Sequence, residues 1–139
     1  MQNFENPADE PKPIRPYLVR AILDYCRDTG MTPYVVVQVD DYCNVPMEYV
    51  RDGQIVFDVS DEAVNKFVID DEAMSFQARF GENNVICNVY VPVNRISAVT
   101  PIEYQQYGFS FKVTATVPTE ESASAAAETA APRRPMRVK

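Results

Sequence analysis

Histidine and tryptophan are absent from this sequence, glycine occurs four times and cysteine three times. Each scarcity excludes something. Without histidine the commonest general base and a principal metal ligand are missing. Four glycines provide no Gly-rich loop to cradle a phosphate. Cys26, Cys43 and Cys87 are odd in number and form no CxxC pair, so they read as reduced thiols of a cytoplasmic protein. A nucleophilic cysteine would need an activator, and none is visible in the sequence. No apolar run has the length that spans a bilayer. The first thirteen residues are acidic and proline-rich, the reverse of a signal peptide. Lysine and arginine number 13 against 20 acidic residues, a net charge of −7. Nucleic-acid binding rests on neutralising phosphates, and this balance argues against it. Asp40-Asp41 and Asp70-Asp71-Glu72 pair carboxylates, but they fall between strand-like runs and lack the spacing of a calcium loop. The expectation is a protein without catalysis, cofactor or metal.

What is present is a patterned chain of 139 residues, enough for one domain and some tail. Residues 1–13 have few apolar side chains and read as disordered. A helix is predicted over 16–29, with Pro16 at its start and Gly30 and Pro33 at its stop. Two apolar stripes overlap on it: Leu18, Ala21, Ile22 and Tyr25, and Val19, Ile22, Leu23 and Cys26. Such a face is wider than one core contact requires. It is either a well-buried helix or a helix that also packs against a second copy.

The remainder reads as short strands. Residues 34–39 are β-branched and continuous, as in a strand buried on both sides. Residues 40–44 form a loop. Asp52-Gly53 separates two apolar runs, 45–50 and 54–59, and predicts a tight hairpin, with Pro46 marking the first arm as an edge strand or a strand start. One helical turn is expected over 60–65 and a short strand over 67–69. In Ala73–Phe80, Met74, Phe76, Ala78 and Phe80 alternate with Ser75, Gln77 and Arg79, which predicts a strand with one buried face. Further strands are predicted over 85–91, 96–104 and 109–113. One helix followed by five to seven short strands predicts a mainly β, α+β domain over 14–116, a small antiparallel barrel or two-sheet sandwich. From residue 117 the sequence turns to Ala, Ser, Thr, Pro and charge, a flexible tail over 117–139. The tail ends with Arg133, Arg134, Arg137 and Lys139 around Met136 and Val138.

Small open β folds bind extended peptides along an edge or groove. Met47, Tyr49, Phe76 and Phe80 are large enough to line one, or to fill a core. Four segments then carry a family resemblance: IRPYLVRAILDYCRDTGMTPYVVVQV (14–39), VPMEYVRDGQIVFDVS (45–60), FQARFG (76–81) and RPMRVK (134–139). They resemble the stringent starvation protein B family, adaptors that carry ssrA-tagged proteins to the ClpXP protease. The resemblance implies an Sm-like arrangement with an N-terminal helix on two small sheets. It implies a tag groove at Met47, Tyr49, Val56, Phe57, Phe76, Gln77, Ala78, Arg79 and Phe80, with Arg79 as the partner of a carboxylate or carbonyl. It implies docking on the ClpX unfoldase through Arg134, Pro135, Met136, Arg137, Val138 and Lys139, and a homodimer through Tyr17, Leu18, Ala21, Ile22 and Tyr25. Two readings from other classes stand beside it. An Sm-like RNA-binding module would show salt-dependent RNA binding. A non-catalytic assembly domain would leave the basic tip of the tail without a task.

Overall fold

The computed structural model describes residues 12–116, so nearly all of the expected 1–13 segment and the whole 117–139 tail lie outside the described residues. Helix α1 spans Arg15–Thr29, one residue earlier than Pro16 suggested. It ends as the sequence requires. Gly30 adopts φ 74°, and the N–H groups of Gly30 and Met31 both reach the Cys26 carbonyl. Of its two apolar stripes, Val19, Ile22, Leu23 and Cys26 turn into the core, over β6 (Ile96–Pro101) and β1 (Pro33–Gln38). The rest of the other stripe, Leu18, Ala21 and Tyr25, stays at or near solvent.

Among the described residues seven strands form two antiparallel sheets that do not close into a barrel. The first runs β2 (Gln54–Asp58), β1, β6, β7 (Phe109–Ser110). The second runs β3 (Val64–Ile69), β4 (Ala73–Phe80), β5 (Val85–Pro92). Val35 and Val37 of β1 are buried, while Tyr34, Val36 and Gln38 are half-buried. The expectation of burial on both sides of β1 is therefore corrected: the continuous valines hide an alternating strand.

The hairpin needs a larger correction. The Asp52-Gly53 turn is present, with φ 54° and 75°, closed by Arg51 and Gln54 exchanging hydrogen bonds of 2.8 and 2.9 Å. Its first arm is not a strand. Met47–Tyr49 is a single 3-10 turn, in which Tyr49 N–H donates to the Pro46 carbonyl at 3.0 Å. Pro46 has no N–H to give a ladder. β2 instead pairs with β1, Phe57 opposite Val35 and Ile55 opposite Val37.

β3 begins at Val64, where a helical turn was expected to continue to Asn65. That turn ends when the N–H groups of Ala63 and Val64 both bind the Ser60 carbonyl. The β3–β4 ladder is irregular between Asn65 and Val68, where Lys66 has φ 55°. β4 and β5 form an uninterrupted hairpin that places Phe76 opposite Val89, Ala78 opposite Cys87 and Phe80 opposite Val85. The fused core is sealed by Met74, Val89 and Val91 from the second sheet and Val35, Ile96 and Val99 from the first.

Residues 111–116 were expected to begin as strand. Beyond Ser110 the Phe111 N–H still reaches the first sheet, at the Ser97 carbonyl, and the Thr114 N–H reaches the Asn94 carbonyl at 3.4 Å; side chains add the other bonds. Arg15 donates through Nη1 to the Val93 and Ile96 carbonyls at 3.1 and 3.2 Å, and through Nη2 to the Lys112 carbonyl at 2.7 Å. Its guanidinium lies 5.0 Å from the Phe111 ring centroid. Arg95 Nη1 and Asn94 Nδ2 both donate to the Thr114 carbonyl at 2.8 Å, and Thr116 Oγ1 donates to Asp40 Oδ2.

Candidate peptide-binding surface

The period of two on β4 decides what the site can be. Phe76, Ala78 and Phe80 point inward, and Gln77 and Arg79 point outward. On the inner side, β2 brings Phe57 between two of these residues. Phe57 meets Phe76 edge-on at 5.2 Å and Phe80 at 6.1 Å. The 3-10 turn brings Tyr49 to Phe80 at 5.4 Å, with Met47 packed against the same cluster. Each such ring pair adds about 0.5–1.5 kcal/mol beyond its buried area. The cluster grades from core to surface. Phe57 and Phe76 are 2% and 3% exposed, Phe80 and Met47 are half-buried, and Tyr49 is exposed. Ala78 is the small side chain in this row, flanked by Val64 on β3 and Cys87 on β5.

The structure therefore gathers Met47, Tyr49, Phe57, Phe76, Ala78 and Phe80 on one side and separates the rest of the predicted set. Gln77 and Arg79 border a cleft of about 380 Å³ with Asn65, Ile86 and the 61–63 turn; Val64 and Ala78 line it too, so Ala78 is shared between this cleft and the aromatic cluster. Arg79 is exposed there, its Nη1 3.3 Å from the Asn84 carbonyl. Val56 stands apart from both, 50% exposed on the face of β2 opposite Phe57.

Sequence reasoning missed three contributors. Phe67 stacks on Phe76 at 6.0 Å, which the alternation of β3 could have signalled had its bulge not broken the period. Cys87 faces Ala78 across the hairpin, a register visible only once the hairpin is paired. Gly81 lies under Tyr49, where a Cβ would stand 2.8 Å from the Tyr49 hydroxyl oxygen.

Beside this surface, Arg27 of α1 clasps the 60–63 turn through Nε and Nη2 to both carboxylate oxygens of Asp61, at 2.7 and 3.2 Å. That hydrogen-bonded pairing holds the Asp61 carboxyl below its usual range and pushes Arg27 up. Burial pushes the Cys43 thiol up to about 12.

The residues expected at a two-fold contact divide as well. Tyr17 is 48% exposed with Arg20 over its ring, Ala21 and Tyr25 are exposed, and Leu18 is half-buried. Ile22 is 5% exposed and belongs to the chain's own core. Tyr25 continues outward onto Tyr107 at 5.8 Å, and Tyr107 onto Tyr104 at 4.3 Å. Arg134, Pro135, Met136, Arg137, Val138 and Lys139 lie outside the described residues. Among the described residues no helix is long and apolar enough to cross a membrane.

Comparison with known proteins bears on this arrangement of one helix, two sheets and an aromatic inner wall. A stretch of 88 residues is 40% identical to the Stringent starvation protein B homolog of Haemophilus influenzae. It covers 63% of this chain and 57% of that relative, so the match spans little more than half of the relative's length. The sequence model described as Stringent starvation protein B matches residues 13–137, which takes in α1, both sheets and most of the tail, and the chain belongs to the stringent starvation protein B family.

Proposed function

We propose that this protein is a proteolytic adaptor without catalysis of its own. Its domain holds an extended C-terminal degradation tag of the ssrA type along the inner wall, against Met47, Tyr49, Ala78 and Phe80. Residues 134–139 dock on the ClpX unfoldase and so deliver the tagged protein to ClpXP. Two copies associate through the exposed stripe of α1, around Tyr17, Ala21 and Tyr25. The observation that carries this reading is the reach of the family match, which runs through the inner wall and on into the RPMR of the tail.

The physical role of each part follows. A peptide laid in extended form gains affinity from backbone hydrogen bonds and specificity from side-chain pockets. Ala78 leaves a gap between the larger Phe76 and Phe80, where a side chain of the peptide can fit; the β4 backbone itself is already paired with β3 and β5. Phe57 and Phe76 form the floor and are too buried to touch a ligand, so their part is to hold Phe80 and Tyr49 in place. Arg79, on the outer side, is kept as an electrostatic partner for tag residues that run past the end of the inner wall.

The test is titration of the full chain into a labelled ssrA-type peptide, with a scrambled peptide as control. Saturable binding of the first alone supports the reading. Failure to saturate by ~1 mM, a binding free energy weaker than about 4 kcal/mol, removes it.

A further inference from the structure

The cleft shared by Ala78 and Arg79 has three charged groups in its lining: the carboxylates of Asp61 and Glu62 and the guanidinium of Arg79. Two acids against one cation would leave it net negative, a poor place for a peptide carboxylate. At about 380 Å³ the cleft is small enough for these charges to act on one another, since the Debye length at 0.1 M salt is about 10 Å. Among the described residues Arg79 forms no ion pair; its Nη1 meets the Asn84 carbonyl of its own turn at 3.3 Å.

A fourth charge corrects the balance from outside the lining. Arg27, in the last turn of α1, takes Asp61 in a two-pronged contact, Nε to Oδ2 at 2.7 Å and Nη2 to Oδ1 at 3.2 Å. Both oxygens of Asp61 are engaged in this way. Asp24 shares the same guanidinium through Nη1 at 2.9 Å, but it sits on α1 and does not line the cleft. With Asp61 cancelled, the lining keeps one acid and one cation, Glu62 and Arg79.

We propose that Arg27 is a positioning residue for tag binding: by engaging both oxygens of Asp61 it keeps that carboxylate from Arg79 and leaves the Arg79 guanidinium to a carboxylate of the bound peptide. The inference rests on the adaptor reading, with Arg79 as the cation that meets the tag. Stability is a weaker account of the pair. The Arg27 and Asp61 side chains are 53% and 66% exposed, and exposed pairs add little to folding. Its effect on the cleft is larger. Asp61 has two guanidinium groups as candidate partners, and the structure gives it to the one that the tag does not need.

The experiment titrates a labelled ssrA-type peptide with four full-length chains: wild type, Arg27→Gln, Asp61→Asn and the double variant, each checked for a cooperative thermal transition. In ~0.01 M salt, where the Debye length is about 30 Å, Arg27→Gln should bind roughly three-fold or more weaker. Asp61→Asn should bind at least as tightly as wild type. The double variant should return to the wild-type affinity, because the acid that needed cancelling is gone. These differences should close in ~1 M salt, where the Debye length is about 3 Å, and for the same peptide with its carboxylates amidated. Arg27→Lys keeps the charge and should retain most of the affinity. Arg27→Met replaces Arg27→Gln if the latter does not fold.

A clasp that only braces the 61–63 turn gives a different order. Asp61→Asn then breaks it as fully as Arg27→Gln, both fall together, the double variant does not recover, and salt changes nothing. That order, or four equal affinities, would overturn the proposal while leaving tag binding in place. A wild-type chain that does not bind the peptide would instead remove the adaptor reading, and this role with it.

Discussion

Ala78 is the residue at which the inner wall can be tested with least damage to the core. It is half-buried and small, and its neighbours on the same face of β4 already supply the packing. Ala78→Glu is expected to weaken tag binding at least tenfold, about 1.4 kcal/mol, while the thermal transition of the protein stays cooperative. Peptide anisotropy on the folded variant measures this, and near-normal affinity would move the site elsewhere. A second residue-scale expectation concerns acid. Glu103 accepts from the Thr32 N–H and hydroxyl, both at 2.8 Å, and these bonds hold its carboxyl below the usual glutamate range. The unfolded chain lacks them, so their stabilisation is fully present above the ordinary glutamate value and is lost as pH falls through the lowered one. Asp61 behaves alike through Arg27. Glu103→Gln should therefore flatten the acid limb of a stability–pH curve measured by urea unfolding. Glu103→Gln that loses stability equally at pH 3 and pH 7 would contradict the assignment.

At the scale of elements, the turns were the most legible part of the sequence and the strand partners the least. Asp52-Gly53 announced its turn because the tolerance of positive φ is set locally, by these two residue types, whatever the rest of the chain does. What Gln54–Asp58 would pair with was settled by Val35 and Val37, distant in sequence, and by Pro46, which denied a ladder to the nearer candidate. The β4 alternation was fully readable, and with it the inward row Phe76, Ala78, Phe80; that Val56 and Arg79 belong to other surfaces became visible only with the sheets placed. The Arg15 clasp had no sequence signal, since an arginine that caps carbonyls from three segments looks like any other surface arginine. The two glycine turns make a paired prediction. Gly53→Ala meets no atom within 4 Å and should cost only the positive-φ strain, roughly 1 kcal/mol, with tag affinity unchanged. Gly81→Ala carries the same strain and also drives a methyl against the Tyr49 hydroxyl. It should lower stability further and weaken tag binding by displacing Tyr49 from Phe80. Equal effects of the two substitutions on both readouts would argue against Tyr49 as part of the wall.

For the whole molecule, the exposed stripe of α1 and the tail make separable predictions. Light scattering of the full chain at micromolar concentration should give twice the chain mass, and a single-chain mass would exclude the two-fold contact. Removing residues 134–139 should leave tag-peptide affinity unchanged and abolish the stimulation of ClpXP degradation at low substrate. Undiminished stimulation would take docking away from that segment. The clasp by Arg15 has a further consequence, in the order of assembly. The guanidinium that fixes the start of α1 waits for the Lys112 carbonyl, 97 residues later, and for Val93 and Ile96 in between. This clasp cannot close until Lys112 has been synthesised. Closing so long a loop is paid for only at the end, which favours all-or-none folding over stepwise folding along the growing chain. Until it folds, a chain proposed to escort unfolded proteins is itself, briefly, one of them.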